Sequence, residues 1–509
     1  MPRDLLPSDV QSDIPRYTHQ QILRVITGIM LCIFLSSLDQ TVIIPAVPAM
    51  AADLNAFGHL AWIVTAYLLT STAATPIIGK LSDIWGRRAL LVPSLILFIV
   101  ASMACGFAQS LPQLIVFRAI QGLGGAGLMS MSQAAIADVV APRERGRYQG
   151  YMASMWGVSS IAGPIVGGWV TDHLSWRWIF WANLPIGLVA LFLCNRALKM
   201  IRTQKREVQI DYIGSALLVG GVTALLLMLS WGGVELPWSS APVIALALAS
   251  IGLIAALIWQ ERRAADPVLP PRLFANRTFF CGVLIAFFTS LGLFGATFLL
   301  PLSFQLVLGF DAETSGLLVM PFLASSVIGA FVGGQFARRI GRTKGIVLVG
   351  LLFCVVGFLG LMVPATSGVL MVVLPASAVV GIGIGVTMPS VLMQVQNAAE
   401  QRDVGAATGS LLFLRSMGGA FGSTIVGSVL TTRFNAGLAT AGLPPIDLGA
   451  LRGGELGATL VQARAALASG FSLAFGVCFA LLIVAVLIAA VMRDIPLRSG
   501  TVAPREIAH

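Results

Sequence analysis

Apolar runs of roughly 20 residues, separated by short polar segments, recur along almost the whole chain. At about 1.5 Å rise per residue, a helix of that length crosses the hydrocarbon core of a bilayer. The runs predict spans at 23–47, 60–80, 89–108, 112–138, 148–170, 177–196, 212–231, 241–260, 279–305, 314–336, 345–364, 368–396, 404–430 and 471–492. That is an all-α, polytopic membrane fold of fourteen helices. Residues 1–22 are expected as a tail without a cleavable leader, so that the first run stays in the membrane. Residues 431–469 are expected as a long loop containing Pro444 and Pro445, and residues 493–509 as a second tail.

Charge fixes the expected orientation. Of 32 Lys and Arg residues, only Arg177, Arg433, Arg452 and Arg464 fall on one side of this layout. Arg118 and Arg415 fall mid-span, and all the others fall on the side of the N-terminus. Basic residues collect on the cytoplasmic side of membrane proteins, so both termini are expected there, in a multi-pass protein of the cell (inner) membrane.

Composition closes off other classes. The chain is 57% hydrophobic and 11% charged, with a mean hydropathy of +0.89, against about a quarter charged in average soluble proteins. The net charge of +10 lies in loop clusters, so no nucleic acid is expected as a partner. The six cysteines show no paired spacing and the four histidines lie outside the apolar runs, so no metal site is expected. Gly122-Leu123-Gly124-Gly125-Ala126-Gly127 fits a dinucleotide fingerprint, but no strand precedes it, and helix packing is the reading.

The glycines repeat. A shift of 259 residues superimposes Gly122 on Gly381, Gly124 on Gly383, Gly146 on Gly405, Gly150 on Gly409, Gly163 on Gly422 and Gly168 on Gly427. A shift of 255 brings Gly79 and Gly86-Arg87 onto Gly334 and Gly341-Arg342. Residues 23–197 and 279–492 are thus expected as two like-oriented six-helix bundles. Residues 198–278 would hold linkers and two inserted helices, 212–231 and 241–260. Such repeats place a pathway at their shared interface.

Several segments carry chemistry. Gly79-Lys80-Leu81-Ser82-Asp83-Ile84-Trp85-Gly86-Arg87-Arg88 combines turn-forming glycines with an acid and two arginines between spans 2 and 3. Asp39, in Leu38-Asp39-Gln40-Thr41, is an acid well inside span 1. An intramembrane carboxyl is costly and marks an ion or substrate path by default. Arg118, in Arg118-Ala119-Ile120-Gln121-Gly122, needs an inward partner for the same reason, and Asp39 is the candidate. The alternative is that the two only brace the helices. Span 5 carries Gly157, Gly163-Pro164, Gly167 and Gly168, small residues that permit close helix contact beside a bend. Arg415 precedes Gly418-Gly419 and reads as structural or coupling. Trp62, Tyr67, Met152, Met155, Trp156, Phe287, Phe288 and Phe294 are candidate cavity-lining residues, though these types also pack or face lipid. Asp311 and Glu313 read as acids at the start of span 10.

The loop at 79–88 resembles the signature loop of the major facilitator superfamily. The segments at Asp39, Arg118 and Gly157–Gly168 resemble those of its fourteen-span drug–proton antiporters, with Ile44 and Pro45 departing from the usual pattern. The resemblance implies a latch role for Gly79, Asp83, Gly86, Arg87 and Arg88, proton coupling at Asp39 and Arg118, and an antiporter motif on span 5. It implies alternating-access export of small lipophilic compounds, cationic ones included, such as drugs, dyes or biocides. The chain is then expected to be no enzyme, to need no cofactor beyond the proton gradient, and to act as a monomer on bilayer, protons and small-molecule substrate, with no adaptor protein indicated. A symporter, or an exporter of one metabolite, is the alternative within the class. A membrane-embedded enzyme would need a clustered nucleophile, base or metal set that the sequence lacks.

Overall fold

The computed structural model describes residues 19–54, 61–140, 144–199, 211–233, 236–310, 312–363, 370–443 and 459–497. Its elements are helical: α1 (His19–Asp53), α2 (Ala61–Trp85), α3 (Arg87–Gly106), α4 (Leu111–Val139), α5 (Arg145–His173), α6 (Arg177–Trp181), α7 (Asn183–Leu198) and α8 (Tyr212–Trp231). They continue with α9 (Ala241–Glu261), α10 (Pro271–Ala275), α11 (Arg277–Leu306), α12 (Ala312–Ile340), α13 (Lys344–Leu361), α14 (Leu370–Ala398), α15 (Val404–Thr440) and α16 (Thr459–Val491). Local chemistry sets several starts. The Asp211 side chain accepts from the Gly214 N–H at 2.8 Å to open α8, and Asn276 accepts from Thr278 and Phe279 to open α11, both satisfying donors that a helix N-terminus leaves free.

Twelve of these segments are long and apolar enough to cross a membrane. The other two of the expected fourteen, α5 and α15, have 29 and 37 residues, ample length at about 1.5 Å each, but are rich in Gly, Ser and Thr. They are the helices that meet the opposite half of the molecule, α5 against α12 and α15 against α2, so close packing rather than lipid contact sets their composition. The expected loop 431–469 is largely helix instead: α15 runs on to Thr440 and α16 begins at Thr459. Its remaining part, 444–458, lies outside the described residues, as do the tails 1–18 and 498–509 and Asp311.

Burial of apolar faces produces separate cores. Val25 to Leu198 contribute to cores within the first half, and Leu273 to Met492 to one within the second. The halves obey a pseudo-two-fold. Gly122 lies against Tyr67 and Thr70, and Gly381 against Phe322 and Ser325, at the same spacing in each half. Gly86 and Gly341 turn the chain with φ of 91° and 69°, a left-handed conformation that glycine adopts without steric cost. Helices α8 and α9 pack on each other, and α8 leans on α2 and α15, where Leu218, Val222 and Leu257 join Ala73 and Met417 in a small shared core.

Candidate functional site

Asp39 lies in α1 at 1% exposure, inside the first half. Its Oδ2 accepts from Arg118 Nη1 of α4 at 2.7 Å. Its Oδ1 accepts from Gln121 Nε2 and Asn183 Nδ2, both at 2.8 Å. Arg118 also donates to Gln121 Oε1 at 2.8 Å and to the Ile63 carbonyl at 3.2 Å, and its guanidinium lies 4.5 Å from the Tyr67 ring centroid. Asn183 donates onward to Ser102, which donates to the Phe180 carbonyl. A charge pair this dry persists only with further hydrogen bonds around it, and here Gln121 and Asn183 engage Asp39 Oδ1 while Gln121 and the Ile63 carbonyl engage the guanidinium Nη1 and Nε. The network joins α1, α2, α3, α4 and α7.

A cavity of about 490 Å³ lies between the two halves, within the size range of small-molecule sites. Of the eight candidate lining residues it takes Tyr67, Met152, Trp156 and Phe294. The other four do not border it. Trp62 packs edge-on against Trp231 of α8 at 6.0 Å, Met155 supports the first core, and Phe287 and Phe288 pack on each other and on the second core. Arg415 faces the cavity, together with Gln40, Gln133, Gln149 and several hydroxyls. Asp39 and Arg118 do not; Ser36, Gln40 and Tyr67 stand between them and the cavity, with Tyr67 Oη 3.2 Å from Ser36 Oγ. So enclosed and so paired, Asp39 contributes no charge to the cavity wall.

At one end the halves close on each other. Asp83, at the end of α2, accepts from the Gly405 and Ala406 N–H groups at 2.9 and 2.8 Å, at the N-terminus of α15, where partial positive charge favours an anion. Arg87 holds Asp83 at 2.7 Å and Asp138 of α4 at 2.7 Å, and also donates to Ser82. Arg88 donates to Asn195 at 3.0 and 2.8 Å. A side chain at Gly79 would collide with the backbone of Gly405. Lys80 lies 3.8 Å from Asp266, tying this turn to the segment after the inserted helices. Far along the first half, Arg177 and Asp53 pair at 2.6 Å, and the Arg177 hydrogen bond holds the Asp53 carboxyl below its usual range.

On α5, Gly163 and Gly167 press directly onto α1, where added side chains would strike Thr41, the Val42 carbonyl and Pro45. Thr41 donates to the Ser159 carbonyl at 2.8 Å, so the turn of α1 carrying Asp39 is clamped to α5. Gly157 instead meets Val327 of α12 in the other half. Pro164 lies within the helix and is exposed, and Gly168 has open space beside it.

The family model described as Major Facilitator Superfamily matches residues 29–423. The chain belongs to the Major Facilitator Superfamily. The multidrug transporter protein MdtP of Bacillus subtilis (strain 168) is 38% identical to it over 423 residues, covering 83% of this chain and 78% of that protein. Multidrug resistance protein 3 of the same organism is 34% identical over 417 residues, covering 81% and 80%. Among solved structures, the proton:xylose symporter XylE superposes with a TM-score of 0.61 at 14% identity, over 92% of this chain and 95% of that one, a likeness of fold alone. This superfamily chain is accordingly a multi-pass membrane transporter and not an enzyme. Sequence reasoning missed Asn183, which completes the Asp39 network, and Leu226, Leu229 and Ser230 of α8, which line the cavity. Asn183 had a signal, a lone amide near the start of an apolar run; the α8 residues had none.

Proposed function

We propose that this transporter is a proton-coupled efflux antiporter that exports small lipophilic compounds by alternating access. The observation that carries the reading is the position of Asp39, one side-chain layer behind a cavity shared by the two halves. Protonation of Asp39 would cancel its attraction for Arg118 and loosen the network that holds Tyr67, a cavity wall. That links proton occupancy to the shape of the binding space. The clamp of α5 on α1 supports the antiporter reading of the glycine motif, because it joins the Asp39 turn to a helix that touches the other half through Gly157. The names of the relatives, a multidrug transporter protein and a multidrug resistance protein, support a drug-like cargo.

In this reading fourteen helices span the inner membrane, both termini are cytoplasmic, and the Asp83 contact latches the cytoplasmic side. The protein works as a monomer with no cofactor and no adaptor. Each charge moved through 100 mV supplies about 2.3 kcal/mol, enough for some tens-fold accumulation at tenfold per about 1.4 kcal/mol. The test is Asp39→Asn in proteoliposomes under an imposed pH gradient. Loss of pH-driven flux with retained substrate binding is expected; full pH-driven flux would reject Asp39 as the coupling group, and substrate moving in the same direction as the proton would replace antiport by symport.

A further inference from the structure

We propose that the cavity is built for a lipophilic organic acid, whose anionic group pairs with Arg415. This rests on the reading of the cavity as the cargo site and names the class of cargo.

Arg415 is the sole charged residue among the described residues lining the cavity. The rest of the polar lining consists of amides and hydroxyls, such as Gln40, Gln133, Gln149 and Ser416. No hydrogen bond, ion pair or ring contact joins Arg415 to any other described residue, whereas Arg118, the other mid-span arginine, has a carboxylate, an amide, a carbonyl and an aromatic face. A guanidinium stays charged in proteins and offers five donors in a planar fork suited to carboxylate, sulfonate or phosphate. Holding such a charge at membrane depth without a partner is expensive. The acid that might have neutralised it, Asp39, is turned away behind Tyr67 and already accepts from Arg118, Gln121 and Asn183. The cavity therefore presents one uncompensated positive charge.

Its other walls suit an apolar body. Trp156, Phe294, Met152 and Met388 line the same space, giving flat and adaptable contacts. A lipophilic cation would bring like charge toward Arg415 with no acid to offset it, and a neutral compound would leave the guanidinium unpaired. An amphipathic acid satisfies both parts of the lining. Volume agrees, since about 490 Å³ accommodates a drug-sized molecule. An inside-negative membrane potential would, in addition, favour the exit of such an anion.

The test is equilibrium binding to the full chain in phosphatidylcholine nanodiscs, with empty nanodiscs subtracted, so that no anionic headgroup competes. The probes are naproxen and 1-pyrenebutyrate, the methyl ester of each, and tetraphenylphosphonium. The wild type is expected to bind at least one acid roughly tenfold or more tightly than its ester, the size of effect a charge-assisted pair gives. Arg415→Gln is expected to erase that difference while ester binding stays within about twofold, the sign that the protein is folded. Arg415→Lys, which keeps the charge but not the fork, should retain part of it. Acid binding that is absent, no tighter than that of the esters or the cation, or unchanged in Arg415→Gln overturns the proposal. Flux of the same probes in proteoliposomes decides the export reading separately: an acid that binds through Arg415 but is never moved would refute export and leave the assignment of the cavity standing.

Discussion

Two turns related by the pseudo-two-fold close the same end of the molecule with opposite chemistry. Gly79 meets Gly405 where α2 approaches α15, and Gly334 meets Gly146 where α12 approaches α5, so the backbone contact is duplicated. The charge beside it is not. The Asp83 side chain is only 6% exposed and sits on two N–H groups of α15. Its counterpart in the repeat is Arg338, which lies 3.5 Å from Glu144 ahead of α5, with side chains 41% and 50% exposed. An acid favours a helix N-terminus directly, whereas a base there must work through an intervening acid. What the repeat preserves is close approach of glycines; what distinguishes the two sites is burial of charge.

The largest effect is expected from Asp83→Ala. It strips two N–H groups of α15 of their acceptor and leaves Arg87 with Asp138 as its remaining carboxylate partner. Breaking a buried, hydrogen-bonded ion pair costs about 3–5 kcal/mol, much of it borne by the closed arrangement of this end. Transport in proteoliposomes should fall by tenfold or more (~1.4 kcal/mol per decade). A cysteine placed at Thr75, which lines the cavity, should react faster with a water-soluble maleimide added from the side of the α2–α3 turn. Unchanged labelling would show that Asp83 does not hold this end shut.

Smaller, and equal at both turns, is the effect expected of bulk in the glycine contacts. Gly79→Val and Gly334→Val each force a side chain into opposing backbone, and overpacking of this kind costs about 1–3 kcal/mol. Both variants should raise maleimide labelling to a similar extent, since the backbone geometry is shared. A strong effect at Gly79 with none at Gly334 would mean that the charge at Asp83, not the close approach, governs closure on both sides.

The sequence made the lipid-spanning helices and the charge pair legible, because each follows from a cost that the membrane imposes everywhere. Arg118 and Asp39 had to find partners, and they found each other. The start of α8 was legible in the apolar run from 212 onward, and the Asp211 cap then appears in the structure. The helical ends inside 431–469 were not, because Gly- and Ala-rich sequence reads as loop until the packing of Phe434 and Leu467 in the second core is known. Nor was the choice of Tyr67 over Trp62, or of Phe294 over Phe287 and Phe288. Each set shares one helix, α2 or α11, and which face turns inward depends on the tilt of that helix against its neighbours. Arg415 reads as structural or coupling from the sequence; only its position in a cavity whose described lining holds no acid changes that reading.

The smallest effect is expected from Arg338→Ala, and it sharpens the comparison most. If closure needed a charge at both turns, this variant would match Asp83→Ala. The Arg338–Glu144 pair is exposed, however, and exposed pairs contribute about 0–1 kcal/mol, because water and salt already screen them. Transport should remain within about threefold of wild type, and maleimide labelling within about twofold, by the same estimate. Any residual effect should vanish at high salt, where the Debye length shrinks to about 3 Å at 1 M, whereas the defect of Asp83→Ala should persist because its site is shielded from ions. A salt-resistant defect in Arg338→Ala would place this arginine in a buried contact during some other stage of the cycle, and the asymmetry between the two turns would then belong to one conformation and not to the protein.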